Sequence, residues 1–418
     1  MAEAKGPPAS GGPRGRLRPD SIGMTTLLAV LVAYGAISNN MVLPALPALA
    51  SVFQVPGGVA MLAIPAFFLG FGTGQLFFGS LSDRFGRRPV LLTGLGLYTL
   101  ATAACIMAPD METLLTARVI QGLAAASTQV LARAIVRDFF APARAAKMLS
   151  VMSAAFAFAS ALAPLAGGLL LAWFGWQAIF AALAMIGGVT LLLVWFGLAE
   201  SLPRLDPEAT NPGRIAANYK NLATNRIFSG YTLAFAAAFG GVYAFHAGSP
   251  FVFIDLLGYG PEIYGLFFAF MLGGFFAGTV ISARITMRIG FRRLVVAGIF
   301  VCLGAAGTML VLVLAGLVGA VTILVPQFIF MFGFGMIFPN AIAGALAPFP
   351  EKAGAASALL GFIQQSAGAI MVTLLAALAT GSAVPMAACI FAGAVISVAC
   401  FVLIVPKPVA AGDATENG

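Results

Sequence analysis

Arg118 lies inside a long apolar stretch, and His246, the sole histidine, lies near the end of another. An arginine within a membrane segment is costly unless it is paired or faces a wet cavity, which makes Arg118 a functional candidate. An imidazole titrates near neutrality, so His246 is a candidate proton carrier, with Asp83 and Asp255 as carboxylate alternatives at the edges of apolar runs. Little else carries reactive chemistry. The four cysteines form no CxxC pair and no metal-ligand spacing. No GxxxxGK[ST] loop is present for nucleotide hydrolysis. Ser249 follows His246 by three residues but sits in no GxSxG turn. With no paired intramembrane carboxylates, no metal cluster and no filter-like segment, neither an enzyme nor a channel is expected, and no cofactor is required beyond a driving gradient.

The composition shows what must position these residues. The chain has 418 residues, 61% hydrophobic and 9% charged, with mean hydropathy +1.02. Soluble domains carry about 25% charged residues. The expected fold is all-α and integral to a membrane, with twelve spans at 24–46, 58–80, 89–108, 113–135, 146–171, 174–197, 228–250, 262–282, 293–315, 317–341, 354–379 and 384–405. Every lysine and arginine except Arg118 then falls on the side of the two termini, from Lys5, Arg14 and Arg16 to Lys407, while the opposite loops carry Asp110, Glu112, Asp255 and Glu262. By the positive-inside rule both termini are cytoplasmic and the protein is a multi-pass protein of the plasma (inner) membrane. The net charge of +8 thus records topology and attraction to lipid headgroups rather than nucleic-acid binding.

The spans divide into two bundles. The reading is an N-terminal tail (1–23), a first six-helix bundle (24–199), a polar, proline-bearing linker (200–226), a second six-helix bundle (227–405) and a C-terminal tail (406–418). SLSDRFGRRPVL at 80–91 recurs in degraded form as ARITMRIGFRRLV at 283–295, and Pro44 has a counterpart in Pro250 at nearly the same offset. Parallel six-span repeats are a transporter architecture with the substrate site between the halves.

Gly79-Ser80-Leu81-Ser82-Asp83-Arg84-Phe85-Gly86-Arg87-Arg88 resembles the GxLaDrxGrr signature of the major facilitator superfamily. Gly79 is expected to allow close helix approach and Gly86 a tight turn. Asp83 is expected to find a partner across the bundle interface, with Arg84, Arg87 and Arg88 on the cytoplasmic face, so that the loop latches the inner gate in the outward-facing state. Arg118-Val119-Ile120-Gln121-Gly122 resembles the family's RxxQG motif of span four, and Ala163-Pro164-Leu165-Ala166-Gly167-Gly168 resembles the GPxxGG motif of its antiporter branch. Pro164, Gly167 and Gly168 would form a kinked, closely packed hinge. Met41-Val42-Leu43-Pro44-Ala45-Leu46-Pro47, Gly175-Trp176-Gln177-Ala178-Ile179-Phe180 and Gly248-Ser249-Pro250-Phe251 resemble the Bcr/CflA drug-resistance exporters.

That resemblance implies a multidrug efflux antiporter exchanging small amphipathic compounds, phenicol- or bicyclomycin-like, for protons. The alternative on the same fold is a carrier of a metabolite such as a sugar, nucleoside or amino acid. A monomer is expected. One position departs from the family: Asn40 stands where those exporters usually have Asp, so this side chain can hydrogen-bond but cannot carry a proton. Spans one, four, seven and ten line the cavity in such folds. The cavity candidates are Tyr34, Asn40, Gln129, Phe235, Phe239, Tyr243, Gln364 and Gln365, with Tyr231 as a further aromatic. An aromatic, amide-rich cavity with one fixed cation suits neutral or weakly acidic amphiphiles better than cations. Trp173 and Trp176 read as interface anchors.

Overall fold

The computed structural model describes residues 17–406, so Lys5, Arg14, Arg16 and Lys407 lie outside the described residues. Twelve helices among these residues are long and apolar enough to cross a membrane. Spans one to six are Ile22–Val52, Gly57–Phe85, Arg87–Ile106, Met111–Phe139, Lys147–Phe174 and Trp176–Gly197. Spans seven to twelve are Arg226–Leu256, Pro261–Ile289, Phe291–Leu314, Ala320–Leu346, Pro350–Ala377 and Val384–Ile404. In lipid, every backbone polar group must be satisfied within the chain, and helices achieve this. The end bearing the lysines and arginines is called the basic end below, and the other the acidic end.

Several spans are longer than the sequence predicts and are interrupted where proline dictates. Span one runs as Ile22–Asn40, turns through a short 3-10 segment at Leu43–Ala45 and resumes as Leu46–Val52. Pro44 and Pro47 cannot donate to the preceding turn, and each sits at the start of the next segment. Span seven behaves likewise: the helix Arg226–Pro250 continues past Pro250 as a π-helical turn, Phe251–Leu256. Spans two and three, and their counterparts eight and nine, reverse at Gly86 (φ +97°) and Gly290 (φ +85°). Both angles favour glycine, and both residues lie in the repeated basic loop.

The two halves share most of their packing, though span seven also lies along span twelve whereas span one barely touches six. In the first, span two lies on four, three on four and six, and one on five; in the second, eight lies on ten, nine on ten and twelve, and seven on eleven. The halves meet along two equivalent seams, span two against eleven and span five against eight. Beyond these seams, the principal contacts across the halves join Leu43–Ala45, Leu46–Val52 and Gly57–Met61 to spans seven, eight and eleven, all at the acidic end.

Between the halves the structure has a helix where the sequence reading had only a linker. It spans Pro212–Thr224, with the Asn211 side chain accepting from the amides of Gly213 and Arg214 at its start. Ile215, Tyr219 and Leu222 fall on one stripe, Leu222 is buried, and the Tyr219 hydroxyl donates to the Leu76 carbonyl of span two (2.9 Å). Asn225 then caps span seven.

Candidate functional site

Span four begins where Asp110 accepts the Thr113 amide, 2.8 Å away. Two turns on, Arg118 is fully buried, not reaching for headgroups. Its guanidinium donates to Gln121 Oε1 (2.7 Å), the Ser38 carbonyl (3.0 Å), Asn39 Oδ1 (3.1 Å) and the Ala63 carbonyl (3.2 Å). The Phe67 ring lies 4.6 Å below it. Among the described residues it makes no ion pair, so amide and carbonyl oxygens and the face of the Phe67 ring hold the charge. Gln121 passes the network on, donating to Thr102 Oγ1 of span three (2.8 Å). A side chain at Gly122 would collide with the Phe67 carbonyl, so glycine lets span two lie directly on span four. The polar residues of span four therefore do not act together. Arg118, Gln121 and Gly122 bind the first half together, and Gln129, 9% exposed, lies further toward the basic end.

The centre between the halves is aromatic. Tyr243 of span seven lies beside Asn39 of span one, which in turn holds Arg118. Phe68 of span two packs edge-on to Tyr243 at 4.5 Å and lies 6.2 Å from Phe239. Phe235 sits deeper in the second half, stacked on Phe334 at 5.9 Å. His246 follows on the same stripe, 4.8 Å from the Tyr243 ring and 4.6 Å from Phe268, and its Nδ1 has no hydrogen-bond partner. Asn40 is 3% exposed with an unpartnered Oδ1. Gln364 and Gln365 are half-buried on span eleven, and Gln365 Oε1 is unpartnered.

Some expected cavity residues are elsewhere. Tyr34 faces away from the centre: its hydroxyl donates to the Ile186 carbonyl of span six and its ring packs on Tyr98 at 5.1 Å. It lies six positions before Asn40 on the helix, which puts the two on different faces. Tyr231 packs against Phe401 and Phe291 in the second half. Asp255 remains exposed although span seven continues past Pro250, and it lines a cleft of about 640 Å³ at the acidic end, apart from Tyr243 and His246. Trp176 is no interface anchor; it is buried against Phe53 at 5.5 Å, whereas Trp173 is exposed.

On span five, neighbouring glycines face different partners. A side chain at Gly167 would strike the Met41 carbonyl within the first half, and one at Gly168 the Pro261 carbonyl across the seam. Pro164 is buried one turn away.

At the basic end, the signature loop is tied to its own half. Arg87 is 8% exposed and so does not anchor to headgroups. It pairs with Asp83 (2.6 Å) and Asp138 of span four (3.0 Å) and donates to Ser82 Oγ (2.6 Å). Glu200, at the end of span six, accepts the amides of Arg87 (2.9 Å) and Arg88 (3.0 Å) and so caps span three. Arg88 reaches the Trp195 carbonyl and Arg84 the Thr210 hydroxyl of the linker. Asp83 thus pairs within the first half, and its carbonyl accepts the Asp206 amide of the linker. Gly79 makes no close approach either: a Cβ there would meet only Val130, at 3.9 Å. Gly70 and Gly74 fill that role on span two, against the Val119 and Leu123 carbonyls. Asp138 and Glu200 were absent from the sequence candidates because each acts from a segment far along the chain; an acid directly beside a basic-end cation, as Asp138 is beside Arg137, is the signal that points to one of them. Among the described residues no cluster of His, Cys, Asp or Glu could hold a metal ion.

Comparisons with known proteins agree with this architecture. A sequence profile described as Major Facilitator Superfamily matches residues 27–372. The chain is 32% identical to the uncharacterized MFS-type transporter YdgK of Bacillus subtilis, over 90% of this chain and 94% of that one. It is 31% identical to multidrug resistance protein D of Escherichia coli (86% and 90%) and 27% identical to a bicyclomycin resistance protein homolog of Haemophilus influenzae (89% and 92%). Among solved structures, the xylose transporter XylE from E. coli, in a partially occluded inward-open conformation, aligns with TM-score 0.72 over 92% of this chain and 98% of that one at 15% identity. Twelve spans in two equivalent halves, the basic-loop signature and a profile covering most of the chain place this protein in the Major Facilitator Superfamily of membrane transporters.

Proposed function

We propose that this protein exports small amphipathic compounds, phenicol- or bicyclomycin-like, by alternating access in exchange for protons. In this reading it works as a monomer in the inner membrane with the basic end in the cytoplasm. The observation that carries the proposal is the closed centre between the halves, where Phe68, Phe239 and Tyr243 meet the Asn39–Arg118 pair. Rings supply apolar contact, amides and a hydroxyl supply orientation, and a fixed cation without a carboxylate partner disfavours cationic cargo. The drug-resistance relatives support the choice of cargo. The cross-half contacts gathered at the acidic end support an inward-facing state, in which Asp83 is free of the second half. Rocking about the two seams would bring the span-eleven side of the basic end toward the signature loop.

The test compares drug susceptibility and single-nutrient growth in strains with and without the protein. It continues with chloramphenicol uptake into proteoliposomes under an imposed pH gradient, for the parent and for Asn40→Asp. Raised tolerance to chloramphenicol or bicyclomycin and gradient-dependent uptake are expected, with stronger coupling in Asn40→Asp. Unchanged susceptibility with altered growth on one nutrient would instead favour a metabolite carrier.

A further inference from the structure

The second half contains a polar pair that the cargo site does not use. His246 of span seven is 6% exposed and Gln327 of span ten is fully buried. His246 Nδ1 and both Nε2 and Oε1 of Gln327 lack hydrogen-bond partners. The two side chains line one narrow gap whose other walls are Phe268, Met271, Leu272 and Met331. Buried polar atoms are nearly always paired in folded proteins, so three unpaired ones at a single gap call for a use. The surroundings narrow that use. Span eight presents Phe268, Met271 and Leu272, span ten presents Met331 beside Gln327, and span seven presents Phe245 and Tyr243. Among these only Tyr243 can titrate, and it lies beside Asn39, beyond which lies the cation of Arg118.

We propose that His246 and Gln327 together form an intramembrane proton site, the imidazole carrying the proton and the amide serving both of its protonation states. The bond is not made in the conformation seen here; with the imidazole neutral, rotation of the amide lets the Gln327 Nε2–H donate to Nδ1. Once Nδ1 is protonated, the amide turns over and Oε1 accepts from it. A carboxylate can only accept and an ammonium can only donate, whereas an amide does both without adding charge. Water does not fit the gap as it stands here, so the proton is taken up and released only in states that open it to water on one side or the other, and no other bond changes. This deepens the proton-coupled reading above and rests on it. It also gives a chain with Asn40 in place of an acid a carrier of different chemistry.

Because His246 is the sole histidine, ¹⁵N-histidine labelling of protein without a histidine tag yields the ring signal of one imidazole, its Nδ1 and Nε2 pair. In detergent that signal is expected to titrate with a midpoint between about pH 5 and 8. Gln327→Leu should move the midpoint to lower pH by about one unit, a tenfold loss of proton affinity, and the near-isosteric Gln327→Glu should raise it. Thermal unfolding checks that each variant is folded, and either variant alone suffices. An imidazole that keeps one protonation state from about pH 4 to 9, or a midpoint indifferent to residue 327, overturns the proposal. Pyranine-loaded proteoliposomes separate it from the coupled-export reading. The parent should move protons with a chloramphenicol gradient, while His246→Gln keeps chloramphenicol counterflow and loses the proton signal. Equal proton movement in both overturns the site and leaves coupled export standing. No proton movement in the parent overturns coupled export, and the proposal with it.

Discussion

Gly167 and Gly168 are adjacent, yet alanine at each should act on a different equilibrium. At Gly168 a Cβ would lie 2.9 Å from the Pro261 carbonyl carbon and closer still to its oxygen. Comfortable contact begins near 3.4 Å, so span five or eight must retreat by at least about 0.5 Å at the carbon and more at the oxygen. Overpacking of this kind costs about 1–3 kcal/mol. The penalty applies only while the seam is closed at the acidic end, so it shifts the conformational equilibrium about 5- to 150-fold toward states with that seam open. Alanine's better helix propensity, about 1 kcal/mol over glycine, applies in every state and cancels. At Gly167 the clash is with Met41 of the same half, so it weakens that half without choosing between states. The assay is electron–electron resonance in a background lacking the four native cysteines, with spin labels on exposed pairs: Phe174 with Leu266 near the acidic end, and Val151 with Met287 nearer the basic end. Gly168→Ala should lengthen the first distance and shorten the second. Gly167→Ala should leave both populations alone and lower the unfolding temperature. If the two variants behave alike, or Gly168→Ala changes neither distance, the assignment of Gly168 to the seam is wrong.

Other perturbations follow from the same geometry. Arg118→Lys keeps the charge but offers three N–H donors to four acceptors; losing one charged hydrogen bond, about 1.5–3 kcal/mol, should cut chloramphenicol efflux at least about tenfold while the protein still purifies folded. Glu200→Ala removes the cap on the Arg87 and Arg88 amides and should lower stability by about 1 kcal/mol, read by thermal unfolding in detergent. Asp110 accepts the Thr113 amide, which holds its carboxyl below the usual aspartate range. Its contribution should be complete above about pH 3.9 and fade as acid protonates it, so acid melts of Asp110→Ala should show a shallower loss below about pH 4 than the parent.

The elements were more legible than their faces, and the membrane explains why. Charge reports on span ends because lysine and arginine are costly in hydrocarbon, and glycine reports on reversals because only it takes φ near +90° without strain; Gly86 and Gly290 were readable on both counts. The linker helix was missed, although the Asn211-Pro212 start and the stripe of Ile215, Tyr219 and Leu222 signal it, as it lies outside the spans, where apolar and polar faces separate. Within a span that separation disappears. Lipid tails and a neighbouring helix are equally apolar, so an outward Leu69 and an inward Phe68 look alike in sequence although one is exposed and the other buried. Tyr34 was placed in the cavity for this reason, and Gly79 was given a close contact that belongs to Gly70 and Gly74. What does separate faces inside a membrane is hydrogen bonding. Each polar side chain in a span needs a partner, and finding it requires the neighbouring helices: Gln121 reaches Thr102, Ser38 reaches Tyr98, and Asn340 reaches Ser282. The same accounting singles out Gln327, one polar residue in a run of apolar ones. Its packing against His246 comes from spans seven and ten, so only the fold could bring it forward.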